Sequence, residues 1–461
     1  MPLIIPTNSI SAVGYNVDNS LRFNSGSSDY LNRTPASAGN RTTWTWSAWD
    51  KLVNSSGFNP IFMAGDFTNS SPTGQNGTGL LFLNGQFYSY WDSGAGASVT
   101  SARYRDPSAW YHIVLQANTS TLKLYVNSVE QTSKSISGNG AINYTSIHTI
   151  GTYPNIVDYL NGYMAEVVFI DGQALDPTSF GEFDEDTGIW KPIDVSGLTF
   201  GTNGFYLDFE NSGSLGADVS GNGNNFTVNN LTSIDQTTDT PTNNYCTLNP
   251  LDNYYAGSTF SEGNLKISTG GSNTTYNTST FGLTQGKWYW EYKFTGTTQQ
   301  YMTGIASKLS NATSDVLGYQ HAEEYALNQS GSGIYSNSVT TNYGSGNLAS
   351  GDIISVALDL DNNNLYFAKN GQWGSGSAWD QTFSSALAYS ITDPSSTTLG
   401  AYFVAVGEWN SSGTSEINMN FGNPSFTISS GNSDANGYGN FEYAVPSGYY
   451  SLNTKNLAEF G

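Results

Sequence analysis

Eight side chains have the types that proteins use to bind sugars. An aromatic plane can pack against the C–H face of a sugar, while amides and carboxylates hydrogen-bond its hydroxyl groups. A chain with 11 tryptophans buries most of them, so many of these rings are expected in a core. Together they favour a binding protein over an enzyme. The candidate ligand-binding residues lie beside predicted turns and loops: Tyr88, Tyr90, Trp91, Asp92, Tyr319, Trp373, Trp379 and Trp409.

Oxygen-bearing side chains cluster in the glycine-rich stretch GADVSGNGNN at residues 216–225. Hard cations bind clustered oxygens, which makes Asp218, Asn222 and Asn224 candidate metal ligands, together with Asp66 at a predicted strand end. The alternative is a turn in which Asx side chains hydrogen-bond their own backbone. We expect that no cofactor is required and name calcium as the candidate ion.

The remaining reactive residue types form no catalytic pattern. His112 and His148 lie on separate predicted strands with apolar neighbours, and for these and His321 a structural role is favoured over proton transfer. No serine stands in a nucleophile elbow, and no glycine-rich loop carries a Walker lysine. Cys246 is the only cysteine, which excludes an intrachain disulfide and a cysteine-based metal site. No catalytic residue is predicted.

Strands with period-2 alternation must position these side chains. In GDIISVALDLDNNNLYFAKNGQW, residues 351–373, every second residue from Ile354 to Leu360 is apolar, and Asn370-Gly371 marks a turn. WYHIVLQANTSTLKLYV at residues 110–126 repeats the strand–turn–strand pattern. Gly, Ser, Thr and Asn dominate elsewhere and favour turns over helices. The sequence predicts an all-β chain, and 461 residues favour two domains.

Charge and hydropathy restrict the partners. The formal net charge of −22 repels phosphate backbones, so nucleic acid is not expected as a ligand. The alternative interpretation of the acidity is that it only keeps a large β-protein soluble. Charged residues make up only 11% of the chain, which favours a surface of hydroxyls and amides. No stretch reaches the roughly 18 apolar residues of a membrane span, and the start MPLIIPTNSI lacks a basic n-region. We expect a soluble chain without membrane insertion that is not exported by the general secretory route.

Residues 351–373, with KWYWEYKF at residues 287–294, resemble the core of a SPRY (B30.2) domain. The resemblance covers about residues 254–461. SPRY domains are concanavalin-like sandwiches that bind partners without chemistry of their own. The resemblance therefore implies recognition in this half of the chain.

The first half, about residues 8–232, resembles a laminin-G-like domain, another concanavalin A-like sandwich, in LRF at residues 21–23, in the strand pair at residues 110–126 and in GYMAEVVFIDGQAL at residues 162–175. Such domains often bind calcium. The resemblances imply two antiparallel β-sandwiches of jelly-roll type in tandem. We place them at residues 1–232 and 254–461. The polar residues 233–253 are assigned to a linker.

The acidic run EFDED at residues 182–186 resembles part of the catalytic element of concanavalin-type glucanases, in which one carboxylate attacks and another protonates the leaving oxygen. Thr187 stands where the last acid of that element belongs. The run is therefore interpreted as a solvated acidic turn, and the chain as a protein without enzymatic activity.

VFIDGQALDPTSFGEFDEDTGIWKP at residues 168–192 resembles structural proteins of tailed bacteriophages, and PSGYYSLNTKNL at residues 446–457 resembles the end of phage SPRY-like domains. This implies a virion surface protein, assembled in the host cytoplasm and released by lysis. The first hypothesis is a tail fibre or spike component that binds cell-surface glycans. The absence of a coiled-coil shaft keeps a second hypothesis open, a capsid decoration or head-fibre protein, and a polysaccharide-degrading enzyme is third. Expected partners are other tail or capsid proteins. The chain is also expected to form a homo-oligomer, in particular a trimer.

Overall fold

The computed structural model describes residues 14–54, 56–67, 76–91, 96–254, 258–270, 275–296, 301–308, 316–329, 332–409 and 414–461. The described residues form two compact units that meet in sequence between Asn243 and Asn244. Each unit is an antiparallel β-sandwich, which confirms the predicted fold class.

The first sandwich consists of two large sheets and a small hairpin. Its strands are β1 (Ser20–Phe23), β2 (Tyr30–Arg33), β3 (Thr43–Leu52), β4 (Phe58–Asp66), β5 (Asn76–Leu83), β6 (Gln86–Tyr90), β7 (Ser98–Val99), β8 (Trp110–Asn118), β9 (Thr121–Val126), β10 (Val129–Ser135), β11 (His148–Ile150), β12 (Gly162–Asp171), β13 (Gly181–Phe183), β14 (Trp190–Pro192), β15 (Phe205–Leu207), β16 (Thr227–Asn229) and β17 (Gln236–Thr237).

One sheet has the order β10-β9-β8-β3-β12-β1-β17, with β15 also paired to β12, and the other has the order β16-β2-β11-β4-β5-β6-β7. The alternation in β3 decides which side chains enter the space between them, because Trp44, Trp46 and Ala48 point inward and are fully buried. The Trp46 ring stacks on Phe62 of the facing sheet, with ring centroids 5.7 Å apart. A mainly aromatic and aliphatic core therefore joins the two sheets.

Residues 233–253, assigned to a linker from the sequence, are folded. Strand β17 pairs with β1, the Lys51 ammonium forms a buried ion pair with Asp239 at 2.7 Å, and the Arg22 guanidinium lies 3.6 Å from Asp235. Buried cations require acidic partners, and these polar residues supply them. From Asn244 onward the chain belongs to the second unit, and its first strand in that unit spans Leu248–Tyr254. A segment without apolar periodicity thus contributes to both sandwiches.

The strands of the second sandwich are β18 (Leu248–Tyr254), β19 (Thr259–Ser261), β20 (Lys266–Gly270), β21 (Thr275–Ser279), β22 (Lys287–Gly296), β23 (Tyr301–Ala306), β24 (Glu324–Asn328), β25 (Gly333–Ser336), β26 (Val339–Asn342), β27 (Ile353–Asp359), β28 (Asn364–Lys369), β29 (Gln372–Gly374), β30 (Trp379–Gln381), β31 (Tyr389–Ser390), β32 (Phe403–Glu408), β33 (Thr414–Asn420) and β34 (Tyr450–Ser451).

The two sheets of the second sandwich have the orders β18-β21-β32-β23-β24-β25-β26 and β19-β20-β33-β22-β27-β28-β29-β30. Strand β31 pairs with β28, and β34 lies parallel to β22. Apolar residues of β27, including Ile354, Val356 and Leu358, fill the space between the sheets, as their alternation predicts. The other face of β22 and β27 carries Tyr289 and Ala357, which pack beneath Phe441 and Tyr449. The C-terminal segment thus covers this sheet.

Helices are short in the described residues. They are the 3-10 turns Pro177–Ser179, Phe383–Ser385 and Pro394–Ser396 and one α-helix, α1, at Thr454–Phe460, which Asn453 caps by accepting a hydrogen bond from the Asn456 N–H. None of the described helices has the length and apolar character needed to cross a bilayer.

Candidate ligand-binding surface

The structure distributes the first group of predicted sugar-binding residues between the core and the sheet surface. Tyr90 and Trp91 are 5% and 4% exposed, and Tyr88 is half-buried. The Trp91 ring stacks on Trp44, with centroids 6.2 Å apart, and its Nε1 donates to the Ser137 carbonyl at 3.1 Å. Asp92 lies outside the described residues. Tyr90 and Trp91 are therefore packing residues of the first sandwich.

Two tryptophans of the second sandwich also pack against neighbouring rings. Trp373 is 6% exposed and meets Phe383 edge-on, with centroids 4.8 Å apart. Trp379 is half-buried beside Tyr343 and lies over Gly344, where an added Cβ would approach the indole to 2.2 Å. A glycine is therefore required beneath the Trp379 ring.

Tyr319 and Trp409, the last two predicted ligand residues, are brought together by the fold. Tyr319 lies in a turn closed by its own N–H, which donates to the Val316 carbonyl at 2.9 Å, and Trp409 directly follows β32. Their ring centroids are 5.2 Å apart at an interplanar angle of 41°, and 40% of Trp409 is exposed. Tyr319 itself packs partly on a small outer cluster that contains Met302, Val316 and Leu317. The pair forms a ledge with an apolar base and an exposed indole.

Polar side chains lie in and beside the turn that carries Tyr319. The Ser338 hydroxyl donates to the Tyr319 carbonyl at 2.6 Å, and the Gln320 side chain accepts from the Val316 N–H at 2.7 Å. Lys308 and His321 contact each other through their side-chain nitrogens. An exposed indole, packed on a tyrosine whose turn carries amide and hydroxyl groups, offers the aromatic contact that a sugar needs with polar groups in the same region.

The predicted calcium ligands in the glycine-rich loop hydrogen-bond the loop itself. Asp218 accepts from the N–H groups of Tyr206, Ser220 and Asn224 at 2.9, 2.9 and 2.7 Å. Asn222 and Asn224 donate from their side-chain amide N–H2 groups to backbone carbonyls, and the Arg33 guanidinium donates to the side-chain oxygen Oδ1 of Asn224. A metal ion here would have to replace these hydrogen bonds.

Asp66 ends β4, and its side chain lies outside what the structure describes. In the described part of the chain, no three or more His, Cys, Asp or Glu side chains are placed to share a metal ion. Calcium binding stays a prediction.

The acidic run at residues 182–186 is a hairpin turn between β13 and β14. Asp184 is 2% exposed and accepts from the Thr187 N–H and hydroxyl at 2.9 and 2.8 Å and from the Lys191 ammonium at 3.1 Å. Burial raises the pKa of Asp184, but the hydrogen bonds from Thr187 and Lys191 outweigh it and lower the pKa to about 2. An ionised carboxylate tied to its own turn cannot act as a general acid near neutral pH.

Two histidines lie inside the first sandwich. Trp190 Nε1 donates to His112 Nδ1 at 3.0 Å, which leaves Nε2 to carry the proton and donate to the Ser47 hydroxyl at 2.8 Å. His148 Nε2 accepts from the Asn143 N–H at 2.9 Å. Burial lowers the pKa of His112 to about 3 and that of His148 to about 4, so both rings are neutral structural members.

Comparison with known families separates the two halves of the chain. Residues 25–179 match the family described as the concanavalin A-like lectin/glucanases superfamily, and residues 287–392 match the SPRY domain family. No curated protein matches the chain.

Solved structures show similarity to parts of the chain. The SPRY domain of human HERC1 is 13% identical, with 37% of this chain and 96% of that chain covered and a TM-score of 0.29. A putative carbohydrate-binding protein from Bacteroides ovatus is 15% identical, with 47% and 59% covered and a TM-score of 0.33. Stonustoxin is 20% identical, with 38% and 27% covered and a TM-score of 0.27. The two family matches give the organisation of the protein: a concanavalin A-like domain followed by a SPRY domain.

Proposed function

We propose that this protein is a non-enzymatic recognition protein that binds carbohydrate, and that Tyr319 and Trp409 form the aromatic part of one binding surface. The observation that carries the proposal is the exposed indole of Trp409, 40% accessible and 5.2 Å from the Tyr319 ring. An exposed tryptophan held at a fixed angle by a neighbouring ring binds a flat apolar face with little loss of side-chain entropy.

The lectin/glucanase superfamily of the first domain suggests carbohydrate binding as well. Of the two activities in that family name, binding fits the described residues better than hydrolysis. Asp184 is held ionised by Thr187 and Lys191, whereas glycoside hydrolysis needs one carboxyl group that keeps its proton. Catalysis also has no support from His112 or His148, which are buried and neutral.

We further propose that the protein acts on the surface of a tailed-phage virion, as a tail fibre or spike component that contacts host glycans. The support is the resemblance of residues 168–192 and 446–457 to phage structural proteins. The alternative is a capsid decoration or head-fibre protein that docks on capsid subunits. Its copy number in purified virions distinguishes the two, because decoration gives a number near that of the capsid protein, whereas adsorption gives a few copies at the tail.

Glycan binding can be tested with the full chain on an array of bacterial surface glycans. Trp409→Ala is expected to weaken binding of the array ligands about tenfold, since central aromatic anchors are worth more than about 1 kcal/mol. Phe183→Ala is the matched control, because Phe183 is 57% exposed in the other domain and truncating it leaves Tyr319 and Trp409 intact.

Equal binding by Trp409→Ala and the unaltered chain would remove this surface from the proposal. An array without any bound glycan would contradict carbohydrate recognition. Release of reducing ends from a bound polysaccharide would contradict the non-enzymatic assignment and favour the degrading enzyme.

A further inference from the structure

A groove of about 420 Å³ lies in the second domain on the face of β22 and β27 that the C-terminal segment covers. Its floor is formed by Tyr289 and Ser355, which are 0% and 1% exposed. Trp373 and Phe383 form one wall, and the segment from Tyr443 to Pro446 forms the opposite wall. The volume falls within the range of about 300–1,000 Å³ that is typical of small-molecule sites.

The walls of this groove are fixed before any ligand arrives. Glu291, two residues after Tyr289 on the same face of β22, accepts from the N–H groups of Glu442 and Tyr443 at 2.9 and 2.8 Å and thereby fixes the backbone of the second wall. The Tyr443 ring lies against Gly371, where an added Cβ would approach it to 2.8 Å and where φ is +80°. Both contacts fix the position of the second wall.

The interior is uncharged but not purely apolar. The lining contains no Asp, Glu, Lys, Arg or His, so a charged ligand would lose water without gaining a counter-charge. On the floor, the buried Ser355 hydroxyl makes no hydrogen bond of good geometry and interacts only weakly with the neighbouring Tyr289 hydroxyl, which donates to Glu291, so a ligand can supply it with a better partner. Gln372, which is exposed, and Gln381, which is half-buried, also line the groove. These polar groups all belong to side chains that both donate and accept.

We propose that this groove is a second binding site, separate from the Tyr319–Trp409 pair, and that it takes a single neutral sugar unit. The aromatic walls at Trp373, Phe383 and Tyr443 match the C–H faces of a pyranose. Sugar hydroxyls donate and accept, as do Ser355 and the two glutamines, whereas a proline-rich peptide offers only carbonyl acceptors. A plain hexose and an N-acetylhexosamine share this chemistry, the latter adding a methyl group for the aromatic wall.

Saturation-transfer NMR with the full chain tests the site with four probes: glucose, galactose, mannose and N-acetylglucosamine. At least one is expected to give a transfer signal. Ser355→Ala is expected to weaken its binding about three- to tenfold, the effect of one hydrogen bond, while folding is retained because the deleted hydroxyl makes no hydrogen bond of good geometry in the protein and interacts only weakly with Tyr289. A signal from N-acetylglucosamine alone identifies the acetamido group as the recognised feature.

Phe383→Ala, which opens one wall, is expected to weaken the same signal, and Ser377→Ala, at an exposed position outside the groove lining, is the matched control. A sugar signal that Trp409→Ala abolishes and Ser355→Ala leaves intact comes from the aromatic pair; it supports the proposed function but overturns the groove site. Absence of a signal from all four sugars, or binding of a proline-rich peptide in a Ser355-dependent manner, also overturns the sugar assignment.

Discussion

Two buried glutamates, one in the long central strand of each sandwich, solve a similar problem with different donors. Glu166 in β12 and Glu291 in β22 are 5% and 0% exposed, and each accepts a hydrogen bond from a tyrosine hydroxyl. Burial raises the pKa of both to about 7, against the lowering effect of their hydrogen bonds. The two carboxyls differ in which oxygens are used.

Oε2 of Glu166 accepts two hydrogen bonds, from the Tyr15 hydroxyl at 3.0 Å and from the Tyr206 hydroxyl at 2.7 Å. Glu291 uses both oxygens: Oε1 accepts from the Tyr443 N–H at 2.8 Å, and Oε2 accepts from the Glu442 N–H at 2.9 Å. A hydroxyl can rotate to suit a changed acceptor, but a backbone N–H cannot. Glu166 therefore positions side chains, whereas Glu291 holds a segment of main chain.

Replacing each glutamate by glutamine is expected to give the largest difference in stability between the two sites. Glu291→Gln turns an N–H2 group toward one of the two backbone N–H groups in either amide orientation, whereas Glu166→Gln can present its single oxygen to both tyrosines. Because burial raises the pKa of both glutamates to about 7, either amide also removes a similar cost of keeping a carboxylate ionised in the folded state at pH 8. We therefore expect the free energy of unfolding of Glu291→Gln to be about 1–3 kcal/mol lower than that of Glu166→Gln, measured by urea unfolding of the full chain at pH 8.

Glu185→Gln is the control for these two variants, because Glu185 is exposed and its replacement should change the unfolding free energy by less than about 0.5 kcal/mol. Equal losses for Glu166→Gln and Glu291→Gln would show that the identity of the donor does not matter.

Asp50 extends the comparison to a buried carboxyl with no hydrogen-bond partner on either oxygen. Burial raises its pKa well above the usual value, so the folded state keeps a proton that the unfolded chain releases above about pH 4. Stability of the unaltered protein is therefore lost as the pH rises toward the folded pKa.

Asp50→Asn abolishes this particular loss. Between pH 5 and pH 8 we expect the unfolding free energy of the variant to improve steadily relative to that of the unaltered protein, because the variant has no carboxyl to ionise at this position. Urea midpoints at matched pH values provide the measurement, and Glu166 and Glu291 titrate alike in both proteins. A difference that stays constant with pH would mean that Asp50 titrates normally.

Removing one tyrosine hydroxyl from each site is expected to give a smaller difference in stability between the two sites. Tyr206→Phe deletes the 2.7 Å bond to Glu166 and leaves Tyr15, so we expect a loss of about 1 kcal/mol. Tyr289→Phe leaves Glu291 with two backbone N–H donors and the Asn420 amide, and a loss of about 0.5 kcal/mol is expected. Thermal unfolding of the two variants ranks them. A larger loss for Tyr289→Phe would contradict the assignment of the main-chain donors as the principal contacts.

The sequence predicts the sandwiches well because strands such as β3 and β27 alternate between apolar residues that face the core and residues on the other face. Trp44, Trp46 and Ala48 enter the first core, and Ile354, Val356 and Leu358 the second, as period 2 requires. The folded part of residues 233–253 could not be predicted in this way, because its place depends on buried cations far away in sequence. Nothing in the sequence around Asp235 and Asp239 indicates that these two residues pair with the buried Arg22 and Lys51.

The binding surfaces were predictable by residue type but not by exposure. Trp91 and Trp409 look alike in the sequence, each next to a loop, yet the first is buried on Trp44 and the second is exposed beside Tyr319. The Ser355 hydroxyl on the groove floor was missed altogether. Its strand position, on the face opposite Ile354 and Val356, was visible, but the cover over that face comes from Tyr443 to Pro446, about 90 residues later in the chain.

The exposure of Trp409 gives the protein an intrinsic optical reporter. All eleven indoles lie among the described residues, and Trp409 is the one exposed by 40%, while the others are buried or half-buried. A quencher dissolved in water, such as iodide, reduces the fluorescence of this exposed ring first. A molecule bound on the ring protects its fluorescence from the quencher. Occupancy of the ledge can thus be followed in solution without attaching a dye.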